Sequence, residues 1–345
     1  MKRDEQHLWG IVLAAGEGTR VREFLQQLCG GRGIKQFCAI TGQDSLMQQT
    51  LTRVERLIPR ERILIVVSQD HRDEVREQLA QWPAYNVIFQ PVNRDTGPGI
   101  LLPLAHVTHR DPQAMVAVFP SDHFIIDEER FMATVAQAVE ETRRFPRELL
   151  LLGMTADQAE EGYGWIEPAG KEVGRESRAV RRFLEKPSSA EARALMARGA
   201  LCNTFVFVAK SATLWRMFRQ TAPDLYLTFE MIRVMQNSLH AALFTTHAYE
   251  TMPALNFSRD VCEPLASWLR VLPMPECGWS DWGCEERILA SLQQIGKLEE
   301  CLIRLGQRKA VAQDRVSAVR GGTLEASTRV FTGLRTGVTR KGAEP

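Results

Sequence analysis

The chain has 345 residues, of which 44% are apolar and 25% charged, and its net charge is +1. That is ordinary globular composition with room for one large α/β domain or two smaller ones. The near-zero charge provides no broad field for nucleic acid or an anionic membrane, so any anion recognition must be local.

In chain order, the first element is a short buried strand over His7 to Leu13, extending to Ala14. It runs into Leu13-Ala14-Ala15-Gly16-Glu17-Gly18-Thr19-Arg20, and Lys35-Gln36-Phe37 follows downstream. At Gly16 and Gly18 the missing Cβ atoms let backbone N–H groups close on an anion. Thr19 adds a hydroxyl donor, Arg20 a planar fork for paired phosphate oxygens, and Lys35 a compact charge on a flexible stem. Together these residues suit a polyphosphate. A dinucleotide fingerprint is excluded because Val21 stands where its third glycine belongs, and no Gly-Lys-Ser/Thr tripeptide supports a Walker loop.

Further strand-like runs occur at Ile63–Ser68, Val87–Gln90, Met115–Pro120 and Leu149–Gly153. Helical spacing separates them at Val75/Leu79, Gly99–His109 and Phe131/Val135/Val139. The alternation predicts a doubly wound, mostly parallel α/β sheet covered on both faces. After residue 154 the rhythm changes, and Trp165-Ile166-Glu167, Ala179–Glu185 and Thr204–Val208 read as an inserted β region. Residues 284–306 carry Ile288, Leu289, Leu292, Ile295, Leu298, Leu302 and Leu305 at amphipathic helical spacing. The tail 307–345 has no core pattern and is expected to be mobile. Seven cysteines lack zinc spacings and read as buried thiols, and no run is apolar enough for a membrane helix, so a reducing cytoplasm is the expected compartment.

More segments bear on function. They are Gln90-Pro91-Val92-Asn93-Arg94-Asp95-Thr96-Gly97-Pro98, Pro120-Ser121-Asp122-His123, Gly162-Tyr163-Gly164-Trp165-Ile166, Phe183-Leu184-Glu185-Lys186-Pro187 and Gly278-Trp279-Ser280-Asp281-Trp282-Gly283. With the glycine loop, and in this order, they resemble the sugar-1-phosphate nucleotidyltransferases, or sugar-nucleotide pyrophosphorylases, in particular the mannose-1-phosphate guanylyltransferase branch. The resemblance spans about residues 7 to 295. It implies a Rossmann-like nucleotidyltransferase domain over 1–306, with a nucleotide half to about 154, a sugar-binding half over 155–283 and a closing helix over 284–306.

The same resemblance implies transfer of a nucleotidyl group from GTP to mannose 1-phosphate with Mg²⁺. Arg20 would hold the β/γ-phosphates, Lys35 the α-phosphate or sugar phosphate, and Asp122 and Asp281 the metal. Leu13, Ala14, Ala15, Gly16, Gly18, Thr19, Gln90, Arg94, Thr96 and Ser121 would surround the nucleotide, with Gln90 accepting from the base edge and Arg94 or a backbone N–H donating to it. Gly164, Glu185, Lys186 and Asn203 would take the sugar phosphate. His123 is read as structural, because the attacking phosphate is already ionised and needs no base.

The chain also departs from the family pattern. Ile34 replaces the proline before the lysine, Thr204-Phe205 replaces a small residue and glycine after Asn203, and Gly97 and Gly99 stand where alanine is common. Two other readings therefore remain open: another pair such as UTP or dTTP with glucose 1-phosphate, or a nucleotide-sugar-binding regulatory module without turnover. A serine hydrolase is excluded, because Gly278-Trp279-Ser280-Asp281-Trp282 lacks the closing glycine of a nucleophile elbow.

Overall fold

Four apolar runs become neighbouring parallel strands, as their pattern predicts: β1 (Leu8–Ala14), β2 (Ile63–Ser68), β3 (Val87–Gln90) and β4 (Met115–Pro120), in the order β3-β2-β1-β4. The computed structural model describes residues 6–170 and 177–307, so the tail expected to be mobile lies outside the described residues. The first helices are α1 (Arg22–Cys29), α2 (Leu46–Glu55), α3 (Arg72–Gln78), α4 (Thr96–Arg110) and α5 (Glu128–Arg144). Successive β1 side chains serve opposite faces. Trp9 and Ile11 join Ile100, Leu101 and Leu104 of α4, while Leu8 and Val12 join Leu51 and Val54 of α2 and Val135 of α5.

Beyond β4 the sheet is mixed, which corrects the expectation of a mostly parallel one. After β5 (Leu149–Thr155), the strands β6 (Gly164–Pro168) and β7 (Arg178–Glu185) pair antiparallel, and α6 (Ser189–Ala197) leads into β8 (Leu201–Lys210). Apolar along most of its length, β8 inserts antiparallel between β4 and β5. The helices α7 (Ser211–Thr221), α8 (Pro223–Val234) and α9 (Ala241–Thr251) cover one face, and β9 (Leu269–Met274) then adds parallel to β5. β9 also meets β7, and β6 meets β8, so β5, β8, β6, β7 and β9 close into a small barrel. Its sequence hides β9, since Arg270 and Pro273 interrupt the apolar run and proline within a strand weakens the signal.

The segment expected as one closing helix forms two. α10 (Glu285–Gln294) ends at Gly296, whose φ is 71°, with Lys297 N–H bonding to Leu292 C=O at 2.8 Å and Gly296 N–H to Gln293 C=O at 3.1 Å. This left-handed turn satisfies the last carbonyls of α10, and a second helix occupies 298–307. Ile288 and Leu292 stay inside against Val21, Phe24, Leu25 and Trp282, but the break changes the helical phase and Leu302 becomes 52% exposed. Among the described residues no helix is long and apolar enough to cross a membrane. All seven cysteines are thiols outside any disulfide, and only Cys29 and Cys284 are part-exposed.

α4 starts beside the glycine loop, and its first turn is fixed by close contact. Asp95 Oδ1 caps it by accepting from Thr96 N–H at 2.6 Å, and Gly97 N–H donates to Leu255 C=O at 2.8 Å. A Cβ at residue 97 would lie 2.4 Å from Leu255 Cδ2 and 2.8 Å from the Leu255 carbonyl oxygen. Glycine at position 97 is thus required by this contact. Gly97→Ala should cost about 1–3 kcal/mol in urea unfolding; unchanged stability would show that residue 255 does not press on the helix start.

Candidate active site

The loop after β1 leaves the C-terminal end of a central parallel strand, where open α/β sheets place their ligands. Gly18 sits in the left-handed region with φ 57°, and a Cβ there would meet Lys35 Cβ at 3.0 Å, so the loop rests directly on the lysine. Gln36 fixes its path. The buried Gln36 Nε2 donates at 2.8 Å to the carbonyls of both Ala14 and Gly16. Gly16, Thr19 and Arg20 are left at the surface, and Leu13 and Ala15 are half-buried beneath them.

Lys35 is 5% exposed and lies at the centre of the arrangement. Its Nζ pairs with Asp122 Oδ2 at 2.8 Å and donates to the main-chain carbonyl of Asp281. The Asp122 loop and the Asp281 turn are joined by a small bridge in which Phe124 and Ser280 exchange backbone hydrogen bonds at 2.9 Å. Behind this bridge Trp282, fully buried and at φ 44°, stacks on Phe124 with ring centroids 4.4 Å apart. A bulky residue in that backbone region stores strain, as residues at functional turns often do.

Burial opposes charge on Asp122, yet Lys35 and then His123 hold its carboxyl below the ordinary range. Asp281 behaves likewise: burial opposes its charge, but His123, Arg287, the Tyr163 hydroxyl and Lys35 together keep it low. Both are therefore anions near neutral pH. His123 is pushed down to about 4 by burial, against the pull of Asp122, and its Nδ1 accepts from Trp279 Nε1 at 3.3 Å. A neutral, hydrogen-bonded imidazole fits the structural role read from the sequence.

The structure adds two residues that the motif reading passed over. Tyr163 donates its hydroxyl to Asp281 Oδ1 at 2.8 Å, and Arg287 Nη1 donates to the same oxygen at 2.7 Å. Tyr163 lies within Gly162-Tyr163-Gly164-Trp165-Ile166 but carries no chemical signal of its own. Arg287 reads as one more charge on an amphipathic helix until α10 is docked. Arg20 approaches from the other side: a Cβ built on Gly283 would stand 3.1 Å from Arg20 Nη2 and 2.6 Å from Asp281 Oδ2. Arg20, Lys35, Asp122 and Asp281 thus gather in one cluster next to the glycine loop. Among the described residues no three His, Cys, Asp or Glu side chains gather as a metal site on their own.

Beside the cleft lies a cavity of about 450 Å³ lined by Leu13, Ala15, Gly16, Gln90, Asn93, Asp95, Thr96 and Gly99. Gln90 is 2% exposed; its Nε2 donates to Val92 C=O at 2.9 Å, while its buried Oε1 has no partner among the described residues. A buried acceptor left open at a cavity wall calls for a donor from outside the fold. Other nucleotide candidates have structural duties. Arg94 donates to the carbonyls of Tyr249 and Glu250 at 2.7 Å each, capping the end of α9, and it does not line the cavity. Thr96 Oγ1 accepts from Phe257 N–H at 2.8 Å, and Ser121 N–H bonds to Leu13 C=O at 3.0 Å. A larger cavity of about 640 Å³ around residues 29–34 and α3 contains none of the sequence-predicted site residues.

Three of the four sugar candidates converge on the barrel. Gly164 pairs with Glu185 across β6 and β7, and a Cβ on Gly164 would meet Glu185 Oε2 at 2.7 Å and Asn203 Cβ at 3.4 Å. Burial raises the Glu185 carboxyl, opposed by Lys186 and aided by Glu263 and Asp95, the last of which lines the nucleotide-side cavity. Lys186 is exposed at φ 47°. Asn203 Oδ1 accepts from Phe205 N–H at 3.1 Å where β8 bulges, and Phe205 has φ 58°. Phe205 thus carries a left-handed backbone conformation that usually falls to glycine.

A model of the nucleotidyl transferase family matches residues 9–295. The chain is 30% identical to a mannose-1-phosphate guanylyltransferase of Salmonella muenchen, over 79% of this chain and 57% of that protein. It is 28% identical to mannose-1-phosphate guanylyltransferase 2 of Escherichia coli O157:H7, with the same shares covered. It therefore spans a little over half the length of these curated relatives. A crystal structure from Thermus thermophilus, described as a mannose-1-phosphate geranyltransferase, superposes with a TM-score of 0.69 at 26% identity, covering 80% of this chain and 76% of that one.

The paired carbonyls held by Gln36 generate a direct test of how the loop is built. Gln36→Leu should lower stability by about 2–4 kcal/mol and speed proteolysis near residues 15–18, because two carbonyls lose their buried donor. An unaltered unfolding curve and cleavage pattern would show that the loop holds its path without the amide.

Proposed function

From the premise that this chain belongs to the nucleotidyl transferase family, we propose that it transfers a nucleotidyl group from a nucleoside triphosphate to a sugar 1-phosphate, with GTP and mannose 1-phosphate as the pair. The observation that carries this reading is the clustering of Arg20, Lys35, Asp122 and Asp281 under a glycine loop whose Gly16 lines the same cavity as the open Gln90 acceptor. An oxygen of the sugar phosphate attacks the α-phosphorus, the bond to the bridging oxygen breaks, and pyrophosphate leaves. The attacking oxygen is already anionic, since the second phosphate pKa is about 6. Positioning and charge neutralisation are what the protein must supply.

Arg20 and the loop over Gly16 to Thr19 take the β- and γ-phosphates, with Leu13, Ala14 and Ala15 forming the floor. Lys35 exchanges its Asp122 partner for a phosphate oxygen, reducing repulsion between the two anionic reactants. Gln90 Oε1 accepts from the N1–H and N2 edge of guanine. With Arg94 capping α9, a backbone N–H serves the guanine O6. Gly164, Glu185 and Asn203 contact the sugar, and Lys186 its phosphate. Residues 6–154 then form the nucleotide half, 155–283 the sugar half, and the two closing helices buttress the turn that carries Asp281.

The donor set fits Mg²⁺. Two charged carboxylates without a third ligand suit an ion that completes its shell with phosphate oxygens and water. Asp122 and Asp281 would hold it, and when bound it neutralises charge on the phosphates. The mannose-1-phosphate guanylyltransferases similar to this chain support the choice of substrates.

Pyrophosphate release over a panel of triphosphates and sugar 1-phosphates tests the proposal. GTP with mannose 1-phosphate should give the highest rate; product only with UTP or dTTP and glucose 1-phosphate would move the substrate assignment, and none with any pair would favour a binding module. Asp281→Asn should reduce kcat at least about a hundredfold, since an amide cannot replace the metal-holding charge; unchanged turnover at limiting Mg²⁺ would refute that role. Gln90→Leu should raise the KM for GTP about tenfold to a hundredfold with little change in melting temperature. An unchanged KM would remove Gln90 from the base pocket.

A further inference from the structure

Both carboxylates proposed to hold the metal already have cationic partners from the chain itself: Lys35 on Asp122 at 2.8 Å and Arg287 on Asp281 at 2.7 Å. The Arg287 pairing is the more firmly built. Its other nitrogen, Nη2, reaches Glu160 Oε2 at 2.5 Å, and the guanidinium carbon lies 4.6 Å from the centre of the Tyr163 ring. The fork therefore bridges two acids while lying against an aromatic face, which holds its charge beside Asp281. Arg287 is presented by the first turns of α10, and that helix is anchored by the buried Ile288 and Leu292.

Among the described residues, the hydrogen bonds to the Asp281 carboxylate all fall on one oxygen. Oδ1 accepts from Arg287, from the Tyr163 hydroxyl at 2.8 Å and from Gly283 N–H at 3.0 Å, whereas Oδ2 accepts none among the described residues. A divalent ion approaching Asp281 meets one saturated oxygen and a fixed positive charge beside it. Arg20 stands across Gly283 from Oδ2 without forming an ion pair with it.

We propose that Arg287 is the resident counter-ion of Asp281, which disfavours a divalent metal on the protein alone and makes metal entry depend on a bound triphosphate. The inference rests on the nucleotide site proposed above. A triphosphate carries more negative charge than Arg20 and Lys35 offset, so it supplies the attraction that Arg287 otherwise cancels. Metal and nucleotide then strengthen each other's binding, as linkage requires. Arg287 is a positioning residue here, acting through Asp281.

The test is Mn²⁺ binding by calorimetry and by the spin-resonance signal of free Mn²⁺, on the full chain, with and without a non-hydrolysable GTP analogue. The unsubstituted protein should bind Mn²⁺ weakly alone and much more tightly with the analogue. Arg287→Gln should bind nucleotide-free Mn²⁺ about tenfold or more tightly than the unsubstituted protein, and adding Asp281→Asn should abolish that gain. Arg287→Lys, checked for folding by circular dichroism alongside the others, should keep the weak binding because it keeps the charge. Unchanged or weaker nucleotide-free binding in Arg287→Gln, or an equal gain in Arg287→Lys, would overturn the proposal while analogue binding leaves the nucleotide site standing. Failure of every protein to bind the analogue would overturn the nucleotide site and this proposal with it.

Discussion

A buried ammonium cannot be left without partners, and satisfying Lys35 organises this molecule's cleft. Its Nζ needs both the Asp122 carboxylate and the Asp281 carbonyl, so the loop after β4 and the turn after β9 are held together. Its Cβ supports Gly18, and the neighbouring Gln36 ties down the carbonyls of Ala14 and Gly16. One short segment, Lys35 to Phe37, thereby joins three distant stretches of chain. The rest of the fold supplies rigid strand ends for these stretches to depart from.

The division of labour follows from the sheet. On its parallel side, the largely buried β1 and β2 and the fully buried β4 point their C-terminal ends toward the glycine loop and Asp122. On its mixed side, the strands close into a small barrel whose inner edge brings Gly164, Glu185 and Asn203 together. The two sides meet where β4 pairs with β8, and the Phe124–Ser280 bridge ties the loop after β4 to the turn after β9, with Asp281 directly after it. The transfer proposed above would use this join, with one anion presented from each side.

The parallel half was legible in the sequence because continuous Val/Ile/Leu runs, as in Ile63–Val67, mark strands buried on both faces. The barrel half was less so. β9 carries Arg270 and Pro273, and its place beside β5 depends on β8 having first inserted antiparallel, a long-range event without local signature. The closing helix read as continuous because its apolar spacing continues past Gly296, although that glycine takes the left-handed turn that ends α10. Among the site residues, glycines and charges announced themselves through motif spacing. Gln36, Tyr163 and Arg287 did not, since a glutamine, a tyrosine or a helix arginine acquires a role only from the tertiary partner it meets. Arg94 shows the converse: a cation within a motif whose partners prove to be helix-end carbonyls.

The account stands on one anion site shared by the glycine loop, Lys35 and the two carboxylates. Crystallographic placement of a non-hydrolysable nucleoside triphosphate with Mg²⁺ tests this most directly. The account predicts phosphates over Gly16 to Thr19, within reach of Arg20, with Lys35 moved from Asp122 onto a phosphate oxygen and the base against Gln90. A triphosphate lodged elsewhere, with the Lys35–Asp122 pair intact and the cleft untouched, would contradict it.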